Sequence, residues 1–220
     1  MWDVSAEWAS LRSLTLQQRI ALVQTWFSAD SGRSQWLSTW LRTNRFEALA
    51  SPLLLTLFCS DAEGRAASLA PASTEHDLWA RALRFLAGQT HRDRPKAPTS
   101  PTVRCRINLL TEIARLFVRG SEIATEIDAD EVRNSLIRSP AWANLQCVIG
   151  HIDPLDDLVG SGLLYVSEKG ALNGVGFFHS ACRDYLIAKS LRKGDSWMDY
   201  VPRIWSQPEW EPVFRYLGAI

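Results

Sequence analysis

The chain has 220 residues, of which 46% are apolar, enough to bury one large core or two to three small ones. Lys and Arg together number 24, as do Asp and Glu, so no global field attracts nucleic acid or a membrane surface. The four cysteines form no CxxC pair, which argues against a zinc knuckle and favours reduced thiols in a cytosolic protein. No apolar run approaches the roughly 20 residues of a membrane helix.

Four helices are predicted in the first ninety residues, and together they form a small helical bundle. Thr15 and Gln18 fit a capping box at the start of the first helix. Asp30-Ser31-Gly32 should break that helix. The other three are expected over about 33–43, from Pro52 to Cys59 and from Thr74 onward.

The third helix is the most apolar of the four. Ser51 is suited to cap it, and Pro52 is suited to its first position. Its run LLLTLF is apolar all round, so we expect it to be buried on every side. Local pattern alone leaves two interpretations of Pro52 open, a proline that only starts a core helix and a residue with a binding role.

Residues 90–101, THRDRPKAPTSP, predict a linker that divides the chain, because they hold three prolines and no large apolar side chain. Beyond it the pattern predicts three helices, a short helical turn, a β-hairpin and further helices. The three helices are expected from Val103 to Phe117 (ended by Gly120), from Asp128 and over 140–149, and the short helical turn from Asp153. The hairpin strands are expected over Leu163 to Val166 and Val175 to Phe178. The further helices are expected over 180–192, 196–205 and 208–219.

Three helices followed by a hairpin is the order of a winged helix-turn-helix. The expected fold class is therefore mainly α, with a helical bundle followed by a winged-helix domain with one β-hairpin and further C-terminal helices. His179 stands where the hairpin meets the next helix. The N–H groups and the dipole at a helix start favour an anion, and an imidazole there can donate a hydrogen bond to a phosphate. A histidine that simply caps or packs is the alternative.

Enzyme motifs are absent from the sequence, which holds no GxxxxGK[ST], no GxGxxG after a strand, no HExxH and no GxSxG. Its four histidines form no triad or metal constellation. We therefore expect no catalysis by this chain alone and no bound metal.

Nucleic-acid binding is one alternative function, but the expected recognition helix AWANLQCVI (141–149) has no Lys or Arg for phosphate contacts. A helical scaffold that binds a partner protein is another, because Trp197, Trp205 and Trp210 cluster near the C-terminus. Packing of these tryptophans against helices beyond the chain is the competing interpretation.

Four stretches, in this order, resemble the regulatory arm of NACHT-type STAND NTPases, signalling ATPases related to animal inflammasome receptors and bacterial antiviral sensors. The stretch LTLQQRI with the following WF is similar to the start of the family's first helical domain, and SPLLLTLFC is similar to its NPLLLTLLC helix, with Ser51 for Asn. TEHDLW resembles its T-x-x-x-L-Y helix. GLL followed by FFHSACRDYLIA resembles its GLL…F-x-H-x-S-F-Q-E-Y-L-A-A signature, with Ala181-Cys182-Arg183 in place of Ser-Phe-Gln.

The resemblance implies a domain order. Residues 1–13 would be the last remnant of an NTPase core whose Walker motifs lie before Met1. Residues 14–94 would form the helical domain, 102–179 the winged-helix domain and 180–220 the start of a second helical domain. Because the chain ends at Ile220 within an apolar pattern, we expect it to be a fragment.

The resemblance also implies a function, in which Pro52 packs against the nucleotide base and His179 contacts the β-phosphate of ADP. The chain would be the regulatory arm of a cytoplasmic P-loop ATPase in defence or signal transduction. It would close over ADP and control ATP-dependent activation. ATP or ADP would bind only together with the missing core, and the partners would be that core and, on activation, further copies of the protein.

Overall fold

The computed structural model describes residues 13–44, 47–63, 74–89, 98–169, 172–192, 204 and 206–219. Residues 1–13 of the expected core remnant, apart from Ser13, and 90–97 of the expected linker lie outside these ranges. The chain is mainly α-helical with small antiparallel sheets, which confirms the predicted fold class. It divides into two compact units between Glu75 and His76.

The described residues of the first unit form three α-helices, α1 (Leu16–Trp26), α2 (Ser31–Thr43) and α3 (Pro52–Glu63), with a 3-10 turn before α3 at Glu47–Ala50. The predicted capping box is present, because the Thr15 hydroxyl accepts from the Gln18 N–H and the Gln18 side chain accepts from the Thr15 N–H. Asp30, expected to break the first helix, also caps α2 by accepting from the Arg33 N–H. Local donors and acceptors thus set both helix starts.

The core of the first unit uses the apolar faces that the sequence marks. Val23, Leu37 and Leu55 are fully buried, and the Trp40 ring stacks on Phe58 at 5.0 Å. The expectation that α3 is buried on every side is wrong, since Leu53 is 39% exposed. A helix that packs on neighbours along only part of its circumference leaves a residue like this one in solvent, whatever its polarity.

The second unit holds α4 (Glu75–Ala87, from His76 onward), α5 (Ser100–Leu116), α6 (Ala129–Leu136), α7 (Pro140–Ile149), α8 (Pro154–Gly160), α9 (Ser180–Arg192) and α10 (Glu211–Ala219). Ser100 and Pro101, expected in the linker, are the first residues of α5, which Thr99 caps. The division into compact units places α4 with the later residues. The sequence instead predicts it in the first helical domain, residues 14–94. The functional boundaries near 94 and 179 stay predictions.

The described residues of this unit form five strands, and the three-stranded sheet among them has the pairing of a winged helix. β3 (Ile127–Asp128) comes before α6, and β4 (Leu164–Lys169) and β5 (Leu172–Phe177) form the wing. The antiparallel order is β3-β5-β4, with Val175 of β5 opposite both Ile127 and Val166. α5, α6 and α7 thus precede the wing in the order predicted.

The structure adds a short second hairpin that the sequence does not predict, in which β1 (Val118–Arg119) pairs antiparallel with β2 (Glu122–Ile123). Gly120, expected to end the helix, lies in the turn between them with a φ of 64°, which a residue with a Cβ rarely adopts. The helix itself ends at Leu116. Two-residue strands are too short to show a period in the sequence.

All four cysteines are free thiols, with Cys59 and Cys182 buried and Cys147 exposed. Among the described residues, no helix combines the length and the apolar character needed to cross a bilayer. The core of the second unit includes Leu110, Phe117, Leu145, Val175 and Leu186 at its centre.

Candidate functional site

His179 lies between the last residue of β5 and the first residue of α9. Its carbonyl oxygen accepts hydrogen bonds from the N–H groups of Cys182 (3.1 Å) and Arg183 (3.3 Å). Its imidazole Nδ1 accepts from the N–H of Ala181 at 3.1 Å. His179 therefore caps α9 with both its backbone and its side chain, which satisfies a donor that a helix start otherwise leaves unpaired.

This hydrogen bond fixes the protonation of the His179 ring. A nitrogen that accepts from a backbone N–H carries no proton, so the neutral ring carries its proton on Nε2. Burial lowers the pKa of His179 from its ordinary value near 6.5, because desolvation disfavours the imidazolium. At neutral pH the half-buried ring is consequently a neutral Nε2–H donor.

A cluster of buried aromatic side chains lies beside His179. The Trp79 ring of α4 is 6.0 Å from the His179 ring, and the Tyr185 ring of α9 is 6.4 Å from Trp79. The Trp79 indole N–H donates to the Tyr216 hydroxyl of α10 at 2.9 Å. Trp79, Tyr185 and Tyr216 are at most 5% exposed, so the His179 ring packs on one side against buried aromatic rings.

From Cys182 to Ala188, the residues that follow His179 are buried in the core. Cys182 is fully buried, and burial raises the pKa of its thiol well above the usual range, so it stays protonated. The Arg183 guanidinium donates to Asp184 at 2.9 Å and to the carbonyl of Ala124 at 2.9 Å. Cys182 and Arg183 are two of the three positions at which the chain differs from the NACHT signature that it resembles. Ser180 and Ala181 are the accessible positions beside His179 in the first turn.

Pro52 is the other residue that the sequence singles out, and it lies in the first unit. It is the first residue of α3 and is half-buried, and its carbonyl accepts from the Thr56 hydroxyl at 2.9 Å. The missing N–H of proline costs nothing at this position. Pro52 and His179 belong to different compact units, so their joint role in one nucleotide site stays a prediction.

The helix that would read nucleic acid is α7. Its exposed residues include Ala143, Asn144, Cys147 and Val148, and no Lys or Arg occurs between Pro140 and Ile149. Phosphate contacts supply most of the affinity of winged helices for DNA and require cations. This face therefore offers no support for nucleic-acid binding.

Of the three tryptophans named for binding a partner protein, the structure describes Trp210. Trp210 is fully buried in the second unit, where its indole N–H donates to the carbonyl of Ser121 at 2.7 Å. Trp210 therefore packs inside this unit and offers no exposed surface to a partner protein. Trp197 and Trp205 lie outside the described residues.

Trp79 is the neighbour of His179 that sequence reasoning missed as part of a site. The sequence does contain a signal, since Trp79 is three and four residues before the buried Ala82 and Leu83 on one face of α4. Its partners His179 and Tyr216 lie 100 and more residues further along the chain, where no local pattern can indicate them.

No family model matches the chain, and no curated protein matches its sequence. The resemblance to NACHT-type NTPases thus rests on the four stretches quoted above and stays a prediction. The site is characterised by the geometry of its own residues, above all by the cap that His179 places on α9.

Proposed function

We propose that this chain is the regulatory arm of a NACHT-type, nucleotide-switched signalling NTPase. In this proposal the arm closes over bound ADP and controls ATP-dependent activation and oligomerisation in defence or signal transduction. The observation that carries it is the position of the His179 ring at the start of α9, where Nδ1 accepts from the Ala181 N–H at 3.1 Å and thereby leaves Nε2 as the nitrogen that carries the proton.

The chemistry of this position suits a phosphate. α9 is thirteen residues long, so its first turn carries the positive end of a full helix dipole. The Nε2–H adds a donor that needs no proton uptake at neutral pH. A hydrogen bond to a charged group is worth about 1.5–3 kcal/mol, which biases a two-state element by a factor of about ten or more.

The rest of the nucleotide site would come from the P-loop core of the whole protein. Pro52, at the start of α3, would pack against the base, with its half-buried ring as the apolar surface. The arm itself would be no catalyst. Exchange of ADP for ATP would break the His179 contact and release the arm for homo-oligomerisation in the cytoplasm.

The test is ADP retention by the protein that contains both the P-loop core and this arm. We expect His179→Ala to raise the dissociation rate of a fluorescent ADP analogue about tenfold, because one charge-assisted hydrogen bond is lost. His151→Ala is the matched control, since His151 is an exposed histidine of the same unit. Spontaneous signalling should rise in the first variant only.

Two results would contradict the proposal. One is an ADP dissociation rate that His179→Ala leaves unchanged. The other is tight ATP binding by the 220-residue chain alone in calorimetry, because the phosphate-cradling loop is absent from this sequence.

A further inference from the structure

Three buried rings connect α4, α9 and α10 at the back of the His179 ring. Trp79 lies against His179 at 6.0 Å with the ring planes tilted by 48°, and against Tyr216 edge-on at 6.5 Å. Tyr185 stacks beside Trp79 and meets Tyr216 edge-on at 5.8 Å. All three rings thus belong to elements outside residues 102–179, the predicted winged-helix domain.

The orientation of the Trp79 indole depends on α10. An indole has one N–H, and in Trp79 it donates to the Tyr216 hydroxyl at 2.9 Å in a fully buried place. If Tyr216 moves, this donor is left unpaired, so the buried indole has to turn or carry an unsatisfied N–H. Either outcome changes the surface on which His179 rests.

The Tyr185 side of the cluster has a further attachment, to α4. The Tyr185 hydroxyl lies 3.3 Å from Nε2 of His76, the first α4 residue of the second unit. Burial raises the pKa of Tyr185 to about 12, so its phenol stays protonated and able to donate. Tyr216 of α10 meets Tyr185 edge-on at 5.8 Å, and it also accepts a hydrogen bond from Trp79, the ring that lies against His179. The Tyr216–Trp79 hydrogen bond is therefore the directional contact between α10 and the ring beside His179.

We propose that α10 sets the position of the His179 imidazole through the Tyr216–Trp79 hydrogen bond, which makes Trp79 and Tyr216 positioning residues for the ligand of His179. Only the identity of that ligand as a nucleotide phosphate rests on the proposed function. The C-terminal helix thereby has a direct route to the nucleotide contact. A displacement of α10 loosens His179 without any change in the wing.

The first experiment uses the 220-residue chain without nucleotide and records the ring ¹⁵N–¹H spectrum of His179 and the indole spectrum of Trp79. The wild type should show the Nε2–H tautomer and a nuclear Overhauser effect between the two rings. Tyr216→Phe keeps the ring but removes the hydroxyl. It should shift the Trp79 indole signal, and the His179 ring signals should split or average between tautomers.

A matched control comes from the same unit. Tyr165 lies in β4 of the wing, and its hydroxyl donates to the Glu126 carboxylate. Tyr165→Phe removes this hydroxyl and should leave the His179 signals unchanged. Trp79→Phe, which removes the indole donor to Tyr216, should disturb His179. His179 signals that stay unchanged while the Trp79 indole signal moves in Tyr216→Phe would overturn the proposal. The absence of a Trp79–His179 Overhauser effect in the wild type would also overturn the proposal. This second test does not depend on whether the variants fold.

The second experiment uses the protein with its P-loop core. Tyr216→Phe should raise the ADP dissociation rate several-fold when His179 is present and not at all in a His179→Ala background, because both changes act on one contact. Additive effects would overturn the positioning role. If His179→Ala itself has no effect on ADP while the ring spectra respond to Tyr216→Phe, the proposed function fails and the positioning of His179 stands.

Discussion

Arg106 and Asp157 form the most consequential buried contact of the second unit. The Arg106 side chain is 2% exposed and that of Asp157 is fully buried. The guanidinium donates to both carboxylate oxygens, at 2.7 and 2.9 Å, and to the carbonyls of Ala87 and Gln89, at 2.8 and 2.9 Å. One side chain of α5 thereby binds α8 and the C-terminal end of α4 together.

The loss of stability expected when Arg106 is replaced follows from these four hydrogen bonds. Arg106→Met keeps a similar apolar stem but leaves the Asp157 carboxylate buried without its cation and two carbonyls without a donor. Breaking a buried ion pair from one side costs about 3–5 kcal/mol. We therefore expect the local free energy of unfolding of α5 and α8 to fall by at least about 3 kcal/mol.

Hydrogen exchange followed by mass spectrometry is the suitable assay, because a chain with two compact units need not unfold in one step. A loss of about 3 kcal/mol accelerates exchange of α5 and α8 amides by roughly 100-fold or more, since each 1.4 kcal/mol is a factor of ten.

Arg133→Met is the control. Arg133 lies within 3.2–3.7 Å of Asp130, Asp153 and Asp156, but its side chain is 37% exposed. Surface pairs of this kind contribute at most about 1 kcal/mol. Equal acceleration by the two arginine variants would refute the reasoning. The double change Arg106→Met with Asp157→Leu should recover part of the loss, because no uncompensated charge remains.

Two further predictions concern the wing and pH. Gly176→Ala should displace the Tyr165 ring, which covers Gly176, and cost about 1–3 kcal/mol of wing stability; hydrogen exchange of β4 and β5 measures this, and Tyr165→Ala in the same chain should relieve it. In an NMR titration, His179 should titrate below its ordinary pKa near 6.5. Because burial favours the neutral ring in the folded state, its stabilising contribution is complete above pH 6.5 and is lost as the pH falls through the folded pKa. A folded-state pKa at or above 6.5 would contradict this.

Local features of the fold could be predicted from the sequence, and contacts between distant residues could not. The Thr15–Gln18 box and the bounds of α7 follow from residues three to ten positions apart. Arg106 looks like an ordinary polar position of an amphipathic helix, because its partner Asp157 is 51 residues away. In the same way His179 could be placed at a helix start from its surroundings, whereas the Trp79–Tyr216 bond joins residues 137 apart.

The relative strength of two attachments decides which element can influence His179. α4 is held at its C-terminal end by Arg106, whose hydrogen bonds involve a charged group and are worth about 1.5–3 kcal/mol each. α10 is held to Trp79 by one neutral hydrogen bond, worth about 0.5–1.5 kcal/mol. A force on the unit should therefore break the Tyr216–Trp79 bond before it moves α4. The weaker of these two attachments is also the one that adjoins His179, so the hydrogen bond expected to break first lies beside the candidate site.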